Sequence, residues 1–186
     1  MRIIGGKFKG KRILQPIDKN TRPLRDLVKE SIFNLIEHSK KISLKLDKLY
    51  ILDLFSGTGS FGLECISRGA KEIVFIENYS NAIKILTKNI ISLNLKENCK
   101  IFQEDCFLFF NSKNHQLKKF DIIFLDPPFK EYKISLLIKK IKENKILKQN
   151  GIIIIHRHKK DQLDISDDLN ILEVRNYGLS KVIFGN

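Results

Sequence analysis

The apolar positions change their period along the chain. Arg2 to Ile4 and Lys11 to Leu14 read as the short strands of a hairpin, with Gly5-Gly6 and Gly10 as turn residues. Leu24, Leu27, Val28, Ile32, Leu35 and Ile36 then recur at helical spacing. Thr21 or a neighbour is the expected cap, with Pro23 in the first turn. A polar stretch, 37–48, follows as a connection.

From Tyr50 strands and helices alternate. Residues 50–55 read as a strand entering a glycine-rich turn, 61–68 as a helix and 72–76 as a strand. Ser80 is the expected cap of a helix through Ile83, Leu86 and Ile90. Strands are expected at 100–102 and 121–125, and a helix at 134–141. The β-branched run 152–155 suits a strand buried on both faces. Residues 171–177 and 181–184 would add an edge hairpin. Repeated β-α-β order with right-handed crossovers predicts an α/β fold, a doubly wound Rossmann-like sheet. The chain divides into a basic hairpin-and-helix extension, residues 1–40, and a main domain, residues 41–186.

Length and composition narrow the class. The 186 residues suffice for one domain with a real core. Hydrophobic residues at 42% and charged residues at 30% fit a globular chain. No apolar run approaches the roughly 18 residues of a membrane span, and no secretory signal is visible, so a cytoplasmic location is expected. Cys65, Cys99 and Cys106 form no metal-spaced pair and read as reduced thiols. His156 and His158 would point the same way from a strand end, but no second pair accompanies them, so no metal is expected. The net charge is +13, and the first 30 residues hold nine basic against three acidic groups. That clustering points to a polyanion, most often nucleic acid.

Gly57, Gly59 and Gly62 match G-x-G-x-x-G after a strand, and Glu77 stands 20 residues after Gly57. Alone this is the dinucleotide fingerprint. Asp53, at the strand end, argues against a pyrophosphate, which its carboxylate would repel. It suits a ligand carrying ammonium and sulfonium groups, as S-adenosylmethionine (SAM) does. Glu77 can accept from ribose hydroxyls, and Asp105, after the third strand, from an adenine amine.

The fourth strand ends in Asp126-Pro127-Pro128-Phe129. Pro128 fixes its own φ and restricts Pro127, so the Pro127 carbonyl has a set direction. With Asp126 it offers two acceptors to one exocyclic amine. Two such acceptors favour a pyramidal nitrogen and stabilise charge developing on it. Phe129 offers a face on which an unstacked base can lie.

These motifs resemble amino-group SAM methyltransferases. Met1-Arg2-Ile3-Ile4-Gly5-Gly6, Lys9-Gly10-Lys11-Arg12, Thr21-Arg22-Pro23, Glu30-Ser31-Ile32-Phe33-Asn34 and Gly69-Ala70 narrow the likeness to the RsmD-like small-subunit rRNA guanine-N2 methyltransferases. The resemblance implies a mostly parallel seven-stranded sheet with an antiparallel last strand. It implies one methyl transferred from SAM, leaving S-adenosylhomocysteine (SAH), to N2 of a guanine in 16S rRNA, within a small subunit or its assembly intermediate, by a monomer. By position, Asp126, Pro127, Pro128 and Phe129 hold the base. Asp53, Phe55, Gly57, Thr58, Gly59, Glu77, Asn78, Asp105 and Cys106 hold SAM. Arg2, Lys7, Arg12, Arg22 and Arg25 grip RNA phosphates. The chain departs from the family pattern at Leu24, at Gly178-Leu179-Ser180, and at His156, where an acid is expected. Other readings are an adenine-N6 methyltransferase on DNA or RNA, a nicotinamide-dependent oxidoreductase, and a non-catalytic RNA-binding module.

Overall fold

The computed structural model describes residues 1–16, 24–42, 44–111, 118–161, 165 and 167–186. The expected Thr21 cap and Pro23, and Arg22 as an RNA contact, lie outside the described residues. Elements run α1 (Asp26–His38), β1 (Tyr50–Leu54), α2 (Ser60–Ser67), β2 (Glu72–Glu77), α3 (Ser80–Ser92), β3 (Cys99–Gln103), α4 (Cys106–Phe109), β4 (Phe120–Leu125), α5 (Ile134–Glu143), β5 (Leu147–His158), β6 (Ile171–Tyr177) and β7 (Ser180–Gly185). The seven strands lie in the order β3-β2-β1-β4-β5-β7-β6. The first five strands are parallel, and β7 runs antiparallel to both β5 and β6.

The period-2 alternation of the buried strands sorts side chains into two layers. Ile51, Phe75, Phe124 and Ile154 pack beneath α1, α2 and α3, while Leu52, Ile76, Leu125 and Ile155 pack beneath α4 and α5. Burying each such side chain contributes about 1.5–3 kcal/mol. The Phe61 ring on α2 stacks on Phe124 at 3.9 Å and on Phe33 at 5.3 Å, joining α1 to the sheet centre.

Three expectations are corrected. Ser80 does not cap α3; Tyr79 holds the cap position, and the Ser80 hydroxyl accepts from Gln103 Nε2. Leu27, placed on the apolar stripe of the first helix, is 68% exposed, while Lys29 is fully buried. The reason is a buried ion pair. Lys29 Nζ donates to the Arg2 carbonyl at 2.7 Å and sits 3.4 Å from Glu64, also fully buried. The N-terminal hairpin keeps one bridge, Arg2 with Arg12, flanked by the Ile3–Lys11 and Ile13–Met1 backbone bonds, and side chains of α2 and α3 take the N–H groups beyond it. Ile4 and Gly5 donate to Glu64, Phe8 donates to Ser67 Oγ, and Leu14 donates to Asn89 Oδ1. Ile3 and Ile13 of this arm share a core with the sheet. The short helix α4 carries no periodic signal in four residues.

Candidate active site

At the carboxyl ends of β1 and β4 the chain connections diverge, since β1 leads outward to β2 and β4 leads the other way to β5. Open α/β sheets bind ligands at such a point. A cleft of about 360 Å³ lies there, within the range of small-molecule and cofactor sites.

On the β1 side the chain turns sharply. Phe55 adopts φ +59°, unusual for an aromatic residue, and Gly57 and Gly59 also have positive φ. Gly62 has a different reason: a Cβ there would lie 2.4 Å from the Phe75 ring, so only glycine lets α2 approach β2. This closeness places the Gly62 N–H 3.0 Å from Asp53 Oδ2. Asp53 is buried at the strand end. Burial pushes its carboxyl well above the ordinary value of 3.8, the charges of Asp126 and Glu77 push the same way, and the Gly62 N–H opposes them. Glu77 accepts from Gly57 N–H and Tyr79 N–H, each at 2.8 Å, one on each oxygen. A carboxylate has about four acceptor sites, so it keeps capacity for a ligand's hydroxyls.

On the β4 side, Asp126 N–H donates to the Leu54 carbonyl, joining the two walls. The Asp126 side chain is 15% exposed, and its Oδ1 lies 2.8 Å from His156 Nδ1. His156 Nε2 lies 2.8 Å from Ser180 Oγ on β7. The next residue, Arg157, is buried and donates to the carbonyls of Pro128, Phe129 and Glu131 at 3.0, 3.2 and 2.8 Å. It also pairs with Asp161. The His158 ring meets Phe129 edge-on at 5.0 Å. Three consecutive residues ending β5 thus hold the segment from Asp126 to Glu131.

Of the residues predicted from sequence, Asp53, Phe55, Gly57, Thr58, Glu77, Asn78, Asp126, Pro127, Pro128 and Phe129 line one cleft. Gly59 caps α2 behind it. Asp105 is not part of the lining; it caps α4, accepting from Phe107 N–H at 2.8 Å. Cys106 is buried in the core beneath α4. Burial pushes all three thiols up, Cys99 to about 12. Arg2, Lys7, Arg12 and Arg25 are exposed. Sequence reasoning missed Met1, Gln15 and Leu24, which bring the arm to the cleft wall. Gln15 Nε2 donates to Thr58 Oγ1 at 3.0 Å. It also missed the roles of His156 and Arg157, whose signal was three polar residues ending a buried apolar run.

The reversed last strand, the strand order and the acid-and-glycine turn define the Rossmann-like fold of SAM-dependent methyltransferases. Solved structures agree in fold. Escherichia coli yhhF superposes with a TM-score of 0.83 at 24% identity, covering 100% of this chain and 96% of its own. SMU.776, a chain complexed with SAH, gives 0.65 at 20% identity, covering 83% of this chain and 48% of its own. The family model described as Conserved hypothetical protein 95 matches residues 1–186, and the chain belongs to that family, the RsmD-like group its motifs resemble. One relative, the ribosomal RNA small subunit methyltransferase D of Buchnera aphidicola (strain Bp), is 36% identical over 157 residues, which is 84% of this chain and 76% of the relative.

Proposed function

We propose that the protein transfers one methyl group from SAM to the exocyclic N2 of a guanine in small-subunit (16S) rRNA. The observation that carries this reading is that Asp53 and Asp126-Pro127-Pro128-Phe129 line one cleft. The methyl donor and an amine acceptor can therefore meet there. The name of the Buchnera relative supports rRNA as the substrate, and the resemblance supports guanine N2.

The residues fit the cofactor. Asp53 is a dry carboxylate whose charge a nearby cation would stabilise, and SAM carries both an ammonium and a sulfonium. A pyrophosphate would instead push the Asp53 carboxyl further up and meet a like charge wherever it ionised. Glu77 would accept from the ribose hydroxyls, and Phe55 and Asn78, which line the same cleft, would hold the adenosine. When bound, SAM supplies an electrophilic methyl whose departing sulfur becomes neutral. Asp126 and the Pro127 carbonyl accept N–H bonds from the target amine. They direct its lone pair towards the methyl and stabilise the positive charge that grows on nitrogen as the carbon–sulfur bond breaks, and the methylated amine then releases one N–H proton to water at the cleft mouth. Phe129 stacks the unstacked base. Alignment within the cleft supplies the remaining acceleration. Arg2 and Arg25, next in sequence to the cleft residues Met1 and Leu24, bring positive charge to its rim, with Lys7 and Arg12 farther along the arm.

The test uses labelled SAM and small ribosomal subunits from cells lacking the modification, with nucleosides identified by mass spectrometry. Label in N2-methylguanosine is the expected result. Label in another base removes the guanine assignment, and no label on subunits, naked rRNA or DNA removes the activity.

A further inference from the structure

We propose that His156 is a positioning residue that sets the orientation and hydrogen-bonding state of Asp126, through a chain running from Ser180 on β7 to the reacting amine. The proposal rests on the reading of Asp126 as the amine's acceptor. It concerns a residue that cannot reach the substrate, because His156 is only 2% exposed.

The geometry fixes where one proton must lie. An ionised Asp126 can only accept, so the His156 Nδ1, 2.8 Å away, must carry hydrogen. In neutral imidazole the Nε2 is then the acceptor, and its neighbour at 2.8 Å, the Ser180 hydroxyl, is the donor. The Asp126 carboxylate thus fixes the proton on Nδ1, and the Ser180 hydroxyl holds the far side of the ring, so the imidazole stays aimed at Asp126 Oδ1. Both anchors are rigid. His156 and Ser180 sit on adjacent antiparallel strands, β5 and β7, and both are buried. The carboxylate plane is thereby fixed before substrate arrives, so less reorganisation is left for the moment of transfer. An acid at position 156 would do the opposite. It would face Asp126 as a like charge unless one of the two kept a proton.

The adjacent Arg157 contacts the same segment differently. It binds backbone carbonyls of Pro128, Phe129 and Glu131, so it shapes the loop without touching the Asp126 carboxylate. His156 therefore acts on the chemistry while Arg157 acts on the scaffold, and the two effects separate in kinetics.

The full chain is assayed with SAM and unmodified small subunits, alongside SAH binding by calorimetry and thermal unfolding. His156→Ala is expected to lower kcat by about 10- to 100-fold, with the RNA KM and SAH Kd within about twofold. His156→Asn places an amide N–H where Nδ1–H was and is expected to recover most of the lost kcat. Ser180→Ala, which removes the partner of Nε2 and loosens the ring, is expected to lower kcat a few-fold. In an Asp126→Asn background, His156→Ala is expected to add nothing. Equal kcat for His156→Ala and wild type, with Asp126→Asn strongly impaired but measurable, overturns the proposal alone. Equal losses in His156→Ala and His156→Asn also overturn it. Wild-type turnover in Asp126→Asn overturns the reading of Asp126 beneath it.

Discussion

On the β1 side of the cleft, Asp53 and Glu77 accept from backbone N–H groups of Gly62, Gly57 and Tyr79. On the β4 side, the Asp126 carboxylate and the loop after it are held by side chains, His156 and Arg157, from 26 to 30 residues away. The first wall is made by backbone conformation and the second by side-chain clamps. A backbone-built site dictates its own residue types, since a positive φ or a close helix approach admits little besides glycine. A clamped site does not. A carbonyl accepts from any donor that reaches it, so the residue type of the clamp is open.

The comparison can be broken at four points. Asp126→Ala is expected to cut methyl transfer by roughly a hundred- to a thousand-fold while SAH still binds, because only the acceptor wall is altered. Unchanged turnover would unseat Asp126. Next, Arg157→Met is expected to destabilise the fold by about 3 kcal/mol in denaturant unfolding, leaving Asp161 and three loop carbonyls without their cation. A loss under about 1 kcal/mol would mean that water replaces the clamp.

The third concerns Asp53. Its raised pKa means that the folded chain holds a proton which the unfolded chain has released above about 3.8. This group's contribution to stability therefore falls as pH rises from there towards the raised folded value. A cationic ligand favours the ionised form, so SAM binding is expected to release protons and to weaken as pH drops. Calorimetry in two buffers of different ionisation enthalpy measures the release, and Asp53→Asn is expected to abolish it. Equal release in that variant would assign the proton elsewhere. The smallest effect is at the rim, where Arg12→Glu is expected to lower RNA affinity and reduce its salt slope by about 1. An unchanged slope would remove this residue from the phosphate contacts.

The contrast also explains what was legible beforehand. The strand-helix alternation, the glycine turn and Asp126 to Phe129 follow from period and local backbone demands, and each has its counterpart in the structure. Leu27 was misplaced, and the burial of Lys29 was not visible, because hydrophobic spacing cannot see a partner such as Glu64 across the core. Asp105 stands at the expected strand end, yet its side chain serves a helix cap that four residues of sequence do not announce. His156 registered as half of a possible metal pair with His158 and as a departure from the family pattern. Its meaning needed the antiparallel pairing that sets Ser180 beside it.

The arm's anchoring has a consequence in time. Its backbone partners Glu64, Ser67 and Asn89 lie 59 to 75 residues further along the chain. At translation rates of about 5–20 residues per second, roughly 4–15 s separate the synthesis of Leu14 from that of Asn89. Until the end of that interval the arm's set of anchors is incomplete. Residues 1–16 are thus made before their anchors but docked after them, and the cleft wall they supply is completed only once α2 and α3 are in place.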